Sequence, residues 1–148
     1  MQKTILWVLL LVLLVSGCAS NAAAGTTNAA GLKISDGKVT KTVTVENLKA
    51  LPQTQAAFKN VTYVGVKMTD LLASAGFDPQ TVKAVKAVAS DGFSVNYDPA
   101  LFQRADVIAA YKTVDGALAA EDGSFRMVLP GQEGKLNVRM LTEIQVTQ

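Results

Sequence analysis

The chain has 148 residues, 14 of them basic and 12 acidic, with a single cysteine and no histidine. A Ser-His-Asp triad, a Cys-His pair and nearly every zinc site need an imidazole or a thiolate, so the domain cannot build these centres. A net charge of +2 with no basic run gives no nucleic-acid surface, and there is no Walker loop, dinucleotide fingerprint or EF-hand loop.

The N-terminus has the layout of an export signal. Lys3 supplies a positive charge, an unbroken apolar run follows from Ile5 to Val15, and the small residues Ser16 and Gly17 precede Cys18. A transmembrane helix needs roughly 20 apolar residues, more than this run contains. The segment resembles a bacterial lipoprotein signal, which implies removal of residues 1–17 and lipid attachment at Cys18; the alternative is an uncleaved membrane anchor with an incidental cysteine. Either way the rest of the chain is expected outside the cytoplasm, on the periplasmic face of a membrane. Ala19, where aspartate would favour inner-membrane retention, points toward the outer membrane. Residues 19–31 are only Ala, Asn, Thr, Gly and Ser. Such a tract buries too little surface to offset the entropy of ordering it, so residues 18–31 read as a flexible lipidated tether.

Residues 32–148 suffice for one domain with one core. Without Lys3 the balance is 13 basic to 12 acidic residues, and one thiol permits no disulfide within the chain. Leu32–Ser35 and Val39–Val45 flank Asp36-Gly37, a hairpin signal. Glu46–Leu51 suits a short helix ended by Pro52. Thr62–Val66 is a strand, and Thr69 is placed to cap a helix running to Ala75 and closed by Gly76. Val82–Ala89 alternates and turns through Ser90-Asp91-Gly92 into Phe93–Tyr97. Asp98 and Pro99 suit the cap and first position of a helical turn. Val107–Val114, Phe125–Leu129 and Asn137–Val146 supply the last strands. The expectation is an α+β domain around a mainly antiparallel, partly mixed sheet with short helices.

Four segments carry a family resemblance. Tyr63–Gly76 (YVGVKMTDLLASAG), Ala89–Phe93 (ASDGF), Phe125–Gly131 (FRMVLPG) and Asn137–Val146 (NVRMLTEIQV) resemble, in order, motifs of the sulfite oxidase-type molybdopterin-binding domain. The resemblance spans nearly the whole domain and implies that fold. It also implies a pterin or molybdopterin ligand. The family's enzymes hold molybdenum through a cysteine thiolate just before the Gly-Val segment, and the matching stretch, Leu51–Thr62, contains no cysteine. Thiolate is the soft ligand of such a site, so no protein-ligated metal is expected.

The family's pterin and phosphate contacts map at or near Asp122, Arg126, Asn137 and Arg139, three of them altered, with the Gly123–Arg126 turn one residue short. Asp122 suits the amino-pyrimidine edge of a pterin and repels a phosphate. Arg126 has two readings, as a ligand contact or as an ion pair with Asp122 or Glu121. Tyr63 and Phe93 either stack on a ligand or fill core, and Arg139 is a cation on the closing strand. Asp91 is expected only to shape its turn.

The resulting expectation is a lipid-anchored, non-catalytic module that binds a small pterin-like ligand for carriage or sensing with a membrane sensor or redox partner. The alternatives are a molybdopterin-dependent oxidoreductase with atypical metal attachment and an assembly protein with no ligand.

Overall fold

A computed structural model describes residues 30–148. The signal at residues 1–17, the lipidation site Cys18 and the tether up to residue 29 lie outside the described residues. The elements run β1 (Leu32–Ser35), β2 (Thr40–Val43), α1 (Val45–Lys49), β3 (Gln53–Phe58), β4 (Val61–Lys67), α2 (Met68–Ser74), β5 (Ala84–Ala89) and β6 (Ser94–Tyr97). They continue with α3 (Pro99–Phe102), β7 (Ile108–Thr113), β8 (Gly116–Ala117), a 3₁₀ turn (Ala120–Asp122), β9 (Arg126–Val128), a second 3₁₀ turn (Gly134–Leu136) and β10 (Leu141–Thr147).

The strands form two sheets, so the α+β class holds while its strands divide. The first has the order β2-β1-β10-β5-β6, antiparallel throughout except for the parallel pair β1–β10, in which Ile34 faces Ile144. The second has the order β3-β4-β7-β8, with β9 also on β7, all antiparallel. Leu71 and Leu72 of α2, Phe102 of α3 and the inward residues of both sheets share one core. A smaller apolar cluster of Ala56, Tyr63, Ile108, Ala110 and Val128 lines the other face of the second sheet.

Local chemistry explains most element ends. In the first turn, Asp36 Oδ1 accepts the Lys38 and Val39 amides at 2.9 and 2.7 Å, and these bonds hold its carboxyl below the ordinary carboxylate range. Asp91 accepts the Phe93 amide at 2.9 Å, the turn-shaping role expected of it. Asp98 caps α3 through the Leu101 amide at 2.9 Å, with Pro99 at the first position.

Other ends differ from expectation. Val39 precedes β2 and stands exposed, and Val45 opens α1 because Thr44 and Asn47 form a reciprocal capping box there. α2 has no side-chain cap. Lys67 occupies that position, and the Met68 amide instead bonds the Val107 carbonyl oxygen at 3.0 Å, continuing the β4–β7 ladder into the helix. The stretch Gln53–Phe58, where no strand is expected above, is a full strand paired with β4. The stretch Asn137–Met140, expected as strand, is not one. Met140 has φ +49°, which breaks the extended path, and β10 starts at Leu141.

β4 and β7 approach closely at a bulge between Val64 and Gly65. A Cβ on Gly65 would lie 2.1 Å from the Ala109 carbonyl oxygen, which is backbone and cannot swing away. Gly65→Ala is therefore expected to destabilise the domain by about 1–3 kcal/mol, the range for overpacked cores. Urea unfolding checks this, and an unchanged midpoint would show that the bulge relaxes freely.

Candidate functional site

The second sheet and the loops after β8 and β9 enclose an open cleft of about 600 Å3. Hairpin β3–β4 contributes Phe58, Lys59, Val61 and Tyr63; the opposite wall holds Glu121, Asp122, Arg126, Asn137 and Arg139. A second hollow of about 480 Å3 continues it, sharing Glu121, Gly134, Asn137 and Arg139. The structure thus brings five of the six candidate residues to one cleft. Phe93, 47% exposed, lines only the second hollow, beside Met140.

Arg126 is the centre of the wall. Its Nη1 donates to Asp122 Oδ1 at 2.7 Å and to the Tyr63 hydroxyl at 2.8 Å. The guanidinium lies 4.4 Å from the Tyr63 ring centroid and 5.7 Å from that of Phe58. The Arg126 and Asp122 side chains are 5% and 7% exposed. Gly123, at φ +72°, reverses the chain so that the two residues meet. Of the two readings of Arg126, the ion pair with Asp122 is the one observed. The Asp122 carboxylate, expected to face a ligand, spends one oxygen on Arg126, because burial of either charge alone would cost several kcal/mol.

Asn137 joins the loop to β9. Its Oδ1 accepts the Leu129 amide at 2.7 Å and its Nδ2 donates to the Glu133 carbonyl oxygen at 3.0 Å. Backbone bonds from Met127 to Val138 at 2.7 Å, Met140 to Asp122 at 2.8 Å and Leu141 to Phe125 at 2.8 Å extend the join. Arg139 therefore stands on a pinned loop, not on the closing strand. It is exposed, lines both hollows and enters no salt bridge among the described residues. Lys59 is likewise exposed and unpaired, 5.7 Å from the Phe58 ring centroid. With Arg126 and Asp122 neutralising each other, the charges free to meet a ligand are Lys59, Arg139 and Glu121.

Sequence reasoning missed Phe58, Lys59, Val61 and Glu121. The only signal for the first three was Lys59-Asn60 as a two-residue turn between Phe58 and Val61.

The lining is compatible with the organic part of a molybdopterin, with the Phe58 ring and the Glu121 carboxylate for a heterocycle and the free cations Lys59 and Arg139 for an anionic group, while Asn137 and Asp122 are engaged inside the protein. It does not suit a metal held by the protein. The stretch of the expected thiolate is the β3–β4 hairpin, whose side chains include no soft donor. No group of three His, Cys, Asp or Glu side chains gathers among the described residues.

Removing one partner of the buried pair leaves an uncompensated charge. Asp122→Ala is expected to cost about 3–5 kcal/mol, whereas Asp122→Leu combined with Arg126→Met recovers most of it. Guanidinium unfolding of the three chains tests this, and a loss below about 1 kcal/mol in the single variant would mean that water reaches the pair. Burial raises all three tyrosines above the ordinary phenol value of 10.0, and for Tyr63 the Asp122 charge adds to the rise while Arg126 opposes it. A raised phenol pKa favours the neutral form in the fold. Its stabilisation is complete below pH 10.0 and is lost as pH climbs through the folded values. Absorbance should therefore show tyrosine ionisation delayed to above pH 10.0 while the chain is folded; full ionisation at pH 10.0 in a folded chain contradicts it.

A family model described as the oxidoreductase molybdopterin binding domain matches residues 17–148. The mitochondrial sulfite oxidase of Drosophila melanogaster is 32% identical over 111 residues, covering 69% of this chain and 19% of that protein. Among solved structures, the sulfane dehydrogenase SoxCD of Paracoccus pantotrophus matches with a TM-score of 0.65 at 23% identity, over 78% of this chain and 37% of that one. Together the matches support a sulfite oxidase-type molybdopterin-binding domain, and the structural neighbour shows the same fold. The chain belongs to the oxidoreductase molybdopterin binding domain family. It spans only 19% and 37% of the two relatives' lengths.

Proposed function

We propose that this protein is a lipid-anchored, extracytoplasmic binding module of the molybdopterin-binding family that holds a pterin-like ligand without catalysing the family's redox reaction. The observation that supports it is the convergence of Tyr63, Asp122, Arg126, Asn137 and Arg139 on one cleft. Side chains pointing apart into solvent would have favoured an assembly protein. A volume of about 600 Å3 is ample for a bicyclic heterocycle.

Within the cleft, the half-buried Phe58 ring offers a face to a planar ring, backed by the buried Tyr63 and the neutralised Arg126–Asp122 pair. Arg139 and Lys59 stand at the mouth, where an anionic substituent meets them. Because the Leu51–Thr62 stretch has no soft donor, a metal carried by the ligand would have no thiolate from this position. The module would carry or sense the ligand beside a membrane sensor or redox protein, with Cys18 as the anchor point.

Purification of the protein from its native compartment, followed by metal analysis and fluorescence of any released pterin, tests the proposal. Bound pterin with no stoichiometric molybdenum is the expected result; molybdenum near one per chain overturns the non-catalytic role. Arg139→Ala is expected to weaken pterin affinity at least several-fold, the loss of a charge-assisted contact, with an unchanged melting temperature. Unaltered affinity would place the ligand elsewhere.

A further inference from the structure

The strand that sequence patterning did not show is also an open edge. β3 ends the second sheet, and no backbone hydrogen bond joins it to any strand but β4 among the described residues. The direction of its free groups follows from the ladder. The Val114 amide donates to the Thr62 carbonyl oxygen at 3.0 Å, so Thr62 turns its backbone toward β7. Its cross-strand partner Ala57 therefore turns away from β4, as do Gln55 and Gln53 by alternation. All three residues are exposed.

Unpaired strand edges are normally blunted by charge, brevity or cover. The other edges here follow that rule. β2 carries Lys41, whose ammonium bonds the Ser74 carbonyl oxygen; β6 has 4 residues and runs into Asp98-Pro99; β8 has 2. β3 has 6 residues, Gln-Thr-Gln-Ala-Ala-Phe, with no charge and no proline inside it.

We infer that β3 is a docking edge for a second copy of this chain, pairing antiparallel about a twofold axis at Gln55. The inference is independent of what the cleft binds. An uncharged strand offers a charged peptide no complement, but it meets its own copy without repulsion. The outward groups match only odd residues to odd, and of the registers this allows, the one with Gln55 facing Gln55 and Gln53 facing Ala57 pairs all three outward residues. The Gln55 amides can then bond each other, as neutral cross-strand pairs do. Gln53 is already committed, donating to the Leu48 and Leu51 carbonyl oxygens at 2.7 and 2.8 Å and accepting from the Tyr111 hydroxyl at 2.6 Å. Pro52 has no amide to extend the ladder, and the two Lys59 side chains fall at opposite ends of the pair. One strand pair buries less than the roughly 1,200 Å2 of a stable complex, so the dimer is weak and concentration-dependent.

Disulfide trapping captures such a pair. In the full chain carrying Cys18→Ser, Gln55→Cys places two thiols at about 5.5 Å between Cα atoms, within disulfide reach. Ala57→Cys places them four residues apart along the ladder, roughly 13 Å, beyond reach. The expected result is a cross-linked dimer with Gln55→Cys and little with Ala57→Cys. Equal trapping at both positions, or none at Gln55→Cys, overturns the inference, the second outcome leaving the edge to a foreign strand. Sedimentation of Gln55→Lys, exposed and expected to fold, gives an independent check. It should be monomeric at concentrations where the parent chain associates, with pterin affinity unchanged; association as strong as the parent's overturns the twofold at Gln55.

Discussion

Most of the cleft's geometry hangs on the burial of Arg126. A guanidinium removed from water needs a counter-charge and a partner for its remaining protons, and Asp122 and the Tyr63 hydroxyl supply both. Those demands fix the position of the 3₁₀ turn relative to β9 and hold β4 against the same point. The Met140 amide bonds the Asp122 carbonyl oxygen, so the loop bearing Arg139 is fixed to the same turn. One ion pair thus sets the spacing between the two walls. It also decides the cleft's chemistry, since the most deeply placed cation is spent inside the protein and only the peripheral ones remain for a ligand.

Family membership and the altered lining pull the function in different directions. The fold is that of a molybdopterin-binding domain, and its cleft has most of its inner polar groups bonded to one another. The hairpin where the resemblance places the family's thiolate has a first strand of Gln, Thr, Ala and Phe, residues that make a sheet edge and one aromatic side of the cleft. Function belongs to the site more than to the fold, so membership of the family does not by itself assign its chemistry to this cleft.

What could be read from the chain alone was the part governed by local chemistry. Asp36-Gly37, Asp91-Gly92 and Asp98-Pro99 each fix their own turn through bonds two or three residues long, and each formed where patterning placed it. β3 escaped because Gln and Ala have little strand preference of their own; its state is imposed by β4, a tertiary effect. Met140 escaped because a positive φ at a methionine leaves no mark in composition, and the strand expected across Arg139 was interrupted there. The cleft was legible as a set of residues but not as an arrangement. The family motifs marked Asp122 and Arg126, while their mutual neutralisation depends on the reversal at Gly123.

The parallel pairing of β1 with β10 has a consequence for the order of events in folding. β10 is the middle strand of the first sheet, yet it is drawn from the far side of the domain's sequence and bonded to the domain's first strand. During synthesis β1 and β2 can do no more than form an isolated hairpin, which is marginal in water. The sheet has no centre until nearly the whole domain has been translated. Closing so long a loop is slow, as it is for folds dominated by distant contacts. A chain of this design can complete its first sheet only after its last strand has left the ribosome, whatever the second sheet has done by then.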